Sequence, residues 1–154
     1  MRRVAPLVIT AIAVVTVGLF AQTPPNFAGK WTLVGEGGGR GGLGQEATIK
    51  QDASSLTITR TTQMGEFTST YKLDGTESKN TLNMGGNAVE QISTAKWDGA
   101  KLVVKTSMSF DGNPVQLSMT MALDPSGNML IESTRPDFQG GGAPITTKAT
   151  YKKN

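Results

Sequence analysis

No histidine and no cysteine occur among the 154 residues of the chain. The first absence removes the usual general base at neutral pH, the commonest zinc ligand and the usual haem ligand. The second excludes thiol chemistry and iron–sulfur clusters, a lipid-anchoring cysteine at a cleavage site, and disulfides as a source of stability. Aromatics are scarce, at 6%, and no segment sustains a helical period of apolar residues. A serine nucleophile would need a lysine base, but Ser-x-x-Lys on a helix is missing; Glu77-Ser78-Lys79 reads as a polar connection exposed to water. The composition therefore points away from an enzyme, and neither a cofactor nor a metal site is expected.

What is present begins with a targeting pattern. Arg2 and Arg3 precede an uninterrupted apolar run from Leu7 to Phe20, ending near Ala21. That layout predicts a secretory signal over residues 1–21 and a mature domain over 22–154. The run falls short of the roughly 20 residues that cross a bilayer, so no stable membrane insertion is expected after cleavage, and the mature protein is expected to be periplasmic or secreted by a bacterium. Two arginines leave with the signal, which takes the formal charge from +3 to +1. Attraction to nucleic acid has little behind it at that charge.

The remaining length suits one core. From Asn26 onward, runs of Thr, Val, Ile and Leu alternate with Asp-Gly punctuation, which predicts strands at 27–34, 46–51, 55–63, 66–73, 87–97, 101–110, 115–123, 128–134 and 145–152. Leu102, Val104, Thr106, Met108 and Phe110 fall on one face of their strand, and Val115, Leu117, Met119, Met121 and Leu123 on one face of the next. The strand at 87–97 is ambiguous, because Val89, Ala95 and Trp97 favour one face and Ile92 the other. The reading is all-β: an antiparallel up-and-down barrel of eight or nine strands.

Asp74-Gly75, Asp98-Gly99, Asp111-Gly112 and Asp124-Pro125-Ser126-Gly127 recur as hairpin turns, with Asp capping the turn and Gly supplying a positive φ. One carboxylate per turn is too few for a calcium loop. The glycine-rich stretches Gly35 to Gly44 and Gly140 to Gly142 read as flexible surface loops. Gly37, Gly39 and Gly42 meet the dinucleotide spacing, but a strand-like segment follows where a helix should open. Glu46, Glu66, Glu90 and Glu132 have no turn duty and are expected to face water. A carboxylate-based enzyme, or one using Tyr71, would require at least two titratable groups converging inside the barrel.

Aromatics and methionines carry the better hint. Trp31, Phe67, Tyr71, Val104, Met108, Leu117, Met119 and Met121 are the candidate ligand-binding residues, since adaptable methionines on an inner face suit a small hydrophobic or amphipathic ligand. An eight-stranded barrel is either just full or holds one such molecule. A filled barrel would leave loops or a strand edge to contact a protein partner.

The opening Asn26-Phe27-Ala28-Gly29-Lys30-Trp31 resembles the first-strand signature of lipocalins and the wider calycins, in which Gly-x-Trp starts the barrel and the Trp plugs one end. The resemblance implies a structural role for Gly29 and Trp31 and an arginine stacked on the Trp, for which Arg60 and Arg135 are the candidates. The Thr-Asp-Tyr signature and a helix after the last strand, which those families also carry, are missing. Avidin-like barrels begin with Gly-x-Trp too, so the signature speaks for architecture more than ancestry. Most of the mature chain, including Ala47-Thr48-Ile49-Lys50-Gln51, Tyr71-Lys72-Leu73-Asp74-Gly75 and Ala95-Lys96-Trp97-Asp98-Gly99, also resembles a group of small exported bacterial proteins, a likeness that supplies no activity.

Overall fold

The computed structural model describes residues 23–35, 42–63, 65–138 and 140–154. The targeting pattern over 1–21 and most of the first glycine-rich stretch lie outside them. Ten strands form: β1 (Gly29–Val34), β2 (Glu46–Gln51), β3 (Ser55–Thr62), β4 (Gly65–Lys72), β5 (Glu77–Met84), β6 (Asn87–Asp98), β7 (Lys101–Phe110), β8 (Asn113–Leu123), β9 (Met129–Arg135) and β10 (Ile145–Lys153). They make one antiparallel sheet in the order β4-β3-β2-β1-β10-β9-β8-β7-β6-β5. The fold is an all-β, nearly closed, calycin-like barrel.

The chain's first and last strands pair, with Trp31 opposite Lys153 and Leu33 opposite Tyr151. The sheet's free edges are therefore β4 and β5, and side chains join them. The Thr70 N–H donates to Asn80 Oδ1 at 2.8 Å and Asn80 Nδ2 donates back to the Thr70 carbonyl at 3.1 Å, while the Lys72 N–H donates to Ser78 Oγ at 2.8 Å. Ser78 and Asn80 thus stand in for part of a backbone ladder along an edge that would otherwise be open.

That seam explains the strand missing from the sequence reading. Glu77-Ser78-Lys79 opens β5 instead of forming a connection, so the barrel has ten strands where eight or nine were expected. On β5 the face carrying buried Leu82 also carries Ser78 and Asn80, so its apolar alternation is erased by the residues that bridge the seam. The other strands fall within two residues of their predicted limits. On β6, Gln91, Ser93 and Ala95 are buried, which settles the inner face in favour of Val89, Ala95 and Trp97. Phe110 departs from its predicted inward position: it occupies the last pair before the β7–β8 turn and is 48% exposed. At that turn Asp111 (φ 49°) and Gly112 (φ 78°) both lie in the left-handed region, as a two-residue hairpin turn requires.

The β2–β3, β6–β7 and β8–β9 hairpins mark the lower end of the barrel, and it is plugged. Residues 23–28 carry Phe27 there, fully buried and stacked on Trp97 with ring centroids 6.0 Å apart. The Phe27 N–H donates to Gln51 Oε1, Gln51 Nε2 donates to the Pro25 carbonyl, and Trp31 Nε1 donates to the Phe27 carbonyl at 2.8 Å. Leu56, Leu102, Met121 and Met129 are fully buried in the same core. Lys153 Nζ lies 5.5 Å from the centre of the Trp31 ring, so the cation over the Trp is this lysine and neither Arg60 nor Arg135. Gly29 has a φ of +140°, and a Cβ there would come within 2.5 Å of Lys153 Cε. The Gly-x-Trp pattern thus supplies both a backbone shape and a passage for the lysine.

The hairpin aspartates act as turn caps. Asp52 accepts hydrogen bonds from the backbone N–H and hydroxyl groups of Ser54 and Ser55, which lower its pKa to about 2. Asp74 and Asp124 are also lowered, mainly by Thr76 and Asn128 respectively. A carboxylate with a depressed folded-state pKa contributes stability that is present above its unfolded value and lost as pH falls through the folded one. The stability gap between the native protein and Asp52→Asn, measured by thermal unfolding at pH 6, is expected to close as pH falls from 3.8 to about 2. A gap that stays constant over that window would rule out the carboxylate's charge as its source.

Candidate functional site

Above the plug, the barrel's upper half holds a partly open cavity of about 270 Å³. That lies near the lower limit of the roughly 300–1,000 Å³ usual for small-molecule sites. The interior is therefore divided: packed below, hollow above. Strand alternation builds the walls, with Ile58 from β3, Val104 and Met108 from β7, and Leu117 and Met119 from β8. Gly42 and Leu43, from the β1–β2 connection, and Phe138, from the β9–β10 connection, complete the upper rim.

Leu43 was expected in a flexible surface loop but is 2% exposed. Tyr151 holds it in place: the phenol oxygen accepts the Leu43 N–H at 2.7 Å and its hydroxyl donates to the Gly44 carbonyl at 2.9 Å. Gly44 has a φ of +81°, and a Cβ there would come within 2.8 Å of the Thr61 carbonyl oxygen. Burial raises the Tyr151 pKa, against the opposing Leu43 hydrogen bond and Arg60 charge. The phenol therefore stays protonated at neutral pH and donates. Tyr151→Phe is expected to cost about 1–3 kcal/mol, because it strands a buried N–H and a carbonyl together. Denaturant unfolding reads that cost, and a loss below about 0.5 kcal/mol would mean that water takes over both bonds.

Five of the eight candidate binding residues line the cavity: Tyr71, Val104, Met108, Leu117 and Met119. The other three do not. Trp31 and Met121, 1% and 0% exposed, belong to the packed core below, and Phe67 lies under the Arg60 guanidinium, 5.8 Å from ring centre to Cζ. Tyr71 is buried, which raises its pKa, while a hydrogen bond with Ser69 and the charge of Arg60 act the other way.

The sequence reading missed the polar lining. Arg60 and Arg135 both face the cavity, together with Ser69, Gln91, Thr106 and Ser133. Parity carried the signal, since Leu56, Ile58 and Arg60 alternate on one strand and Ile131, Ser133 and Arg135 on another. Gln91 Nε2 reaches only the Met108 sulfur, at 3.4 Å, a weak acceptor. The four glutamates without turn duty are exposed, and Glu90 and Glu132 pair on the outer surface with Lys79 at 4.0 Å and Lys148 at 3.1 Å. Among the described residues, no group of three acidic side chains gathers to hold a metal ion, and no helix is long and apolar enough to cross a membrane.

The sequence matches no family model and no curated protein. Its structure is similar to that of human cRBP IV, a cellular retinol-binding protein, with a TM-score of 0.58 and 18% identity, covering 85% of this chain and 100% of that one. At that identity the likeness is one of fold.

Proposed function

We propose that this protein is an exported carrier that binds a small apolar or amphipathic molecule in the upper half of its barrel. The observation that carries the reading is the division of the interior, because a barrel evolved only to be stable gains nothing from leaving about 270 Å³ unfilled above a close-packed plug. The flexible thioethers of Met108 and Met119 give the walls a surface that repacks around different shapes. The barrel shared with a retinol-binding protein supports the same reading. Arg2, Arg3 and the apolar run to Phe20 support export. The rival reading, a protein-interaction module, needs a filled interior and gains no support from a cavity at this position.

The test is native mass spectrometry of the protein purified from its own host, followed by denaturing extraction of whatever it carries. A reproducible small-molecule passenger at one copy per chain is expected. Protein that emerges empty and takes up none of a panel of apolar dyes would contradict the carrier reading and favour a protein partner.

A further inference from the structure

Among the described residues, the cavity's cations have no counter-charge. Arg60 and Arg135 reach it from β3 and β9, on opposite sides of the strand pair β1 and β10, and no described Asp or Glu lines it. The ion pairs Lys79–Glu90 and Lys148–Glu132 lie on the outer surface, well exposed.

Each guanidinium lies over an aromatic ring. Arg60 lies over Phe67 at 5.8 Å and Arg135 over Phe138 at 6.0 Å. A ring attracts the cation through its face, and a guanidinium's N–H fork suits a planar acceptor. On Arg135, Nε is buried without a partner, and Nη1 makes one long hydrogen bond, 3.5 Å, to the Pro136 carbonyl. Ser133 Oγ, one inward position along β9, is also buried and unpartnered. Buried donors without acceptors are costly and uncommon in native proteins, and here they sit together on β9, beside the apolar Leu117 and Met119 of β8 that line the same cavity.

We infer that the ligand is an amphiphile with a carboxylate head. Arg135 and Ser133 bind the head, Arg60 neutralises it, and the apolar tail lies along Val104, Met108, Leu117 and Met119. The inference rests on the carrier reading and specifies its ligand. A carboxylate fits because it accepts two parallel N–H bonds from one guanidinium and occupies little of a small cavity.

The experiment uses the protein purified from its host and N-phenyl-1-naphthylamine, a neutral apolar dye, displaced in turn by decanoate, decanol and decyltrimethylammonium. Decanoate is expected to displace the dye at a concentration about tenfold below decanol, as charge-assisted hydrogen bonds are roughly twice as strong as neutral ones, and the cationic amphiphile is expected to be weakest. Arg135→Met and Arg60→Met are expected to abolish the preference for decanoate over decanol. Should either variant fold poorly, the native protein gives the same answer: its preference for decanoate should shrink progressively as pH is lowered through about 4 towards about 3, where carboxylic acids of ordinary pKa become mostly neutral. Dye displacement by decanol and decanoate alike would overturn the head-group assignment and leave the carrier reading standing. Failure of the dye and every amphiphile to bind would overturn both.

Discussion

Trp31→Ala is expected to destabilise the barrel by about 3–5 kcal/mol, the usual cost of deleting a fully buried large aromatic side chain. Trp31 is 1% exposed and joins three parts of the plug: its ring packs in the core, its Nε1 donates to the Phe27 carbonyl, and Lys153 lies over its face. Against a typical domain stability of about 5–15 kcal/mol, that loss removes at least about a fifth of the total. The thermal midpoint is expected to fall by roughly 12–20 °C, at about 4 °C per kcal/mol for a domain of this size. Trp31→Phe keeps most of the packing but leaves the Phe27 carbonyl without its donor, so a smaller loss of about 1–3 kcal/mol is expected. A Trp31→Ala loss below about 1 kcal/mol would mean that the lower end is not the close-packed part of the barrel.

Met119→Phe acts on the opposite half. Met119 lines the cavity and packs on its lower side against the core, so a larger, stiffer side chain there takes up space the ligand needs. Forcing an extra ring into an occupied site costs about 1–3 kcal/mol, which corresponds to an affinity loss of roughly 5-fold to 100-fold. The unliganded protein has unfilled volume beside Met119, so its melting temperature is expected to change by only a few degrees. The same replacement at Met121, 0% exposed within the core, is expected to lower stability by about 1–3 kcal/mol through overpacking. Dye titration and thermal unfolding of the two variants separate these effects. If Met119→Phe destabilises as strongly as Met121→Phe while leaving dye affinity intact, the boundary between hollow and packed halves is misplaced.

The hairpin β7–β8 was legible because its alternation is uninterrupted: Leu102 and Val104 are buried, Met108 faces the cavity, and Val115 and Met121 are buried opposite them. β5 was illegible for a physical reason. Its hydrogen-bonding duty to β4 falls on Ser78 and Asn80, and a strand that bridges a seam with polar side chains loses the pattern by which strands are recognised. The arginines were hidden differently. A charged residue at an inward position looks like the end of a core pattern, and the calycin resemblance directed both arginines towards Trp31. Lys153 takes that place because β1 and β10 pair in a register that sets Trp31 opposite Lys153, a relation between the chain's two ends that no local pattern encodes. Leu43 was misjudged because its glycine-rich surroundings signal a loop, while the Tyr151 phenol that seats it lies 108 residues away.

The methyl groups of the methionines offer the most direct test that ligand binds in the upper half alone. Selective labelling of those methyls, followed by NMR titration with N-phenyl-1-naphthylamine, reads the cavity and the core separately. Met108 and Met119 line the cavity, whereas Met121 and Met129 are fully buried in the core. Large saturable shifts at Met108 and Met119, with Met121 and Met129 little changed, are the expected result; equal shifts at all four, or none at any, would contradict a barrel packed below and open to ligand above.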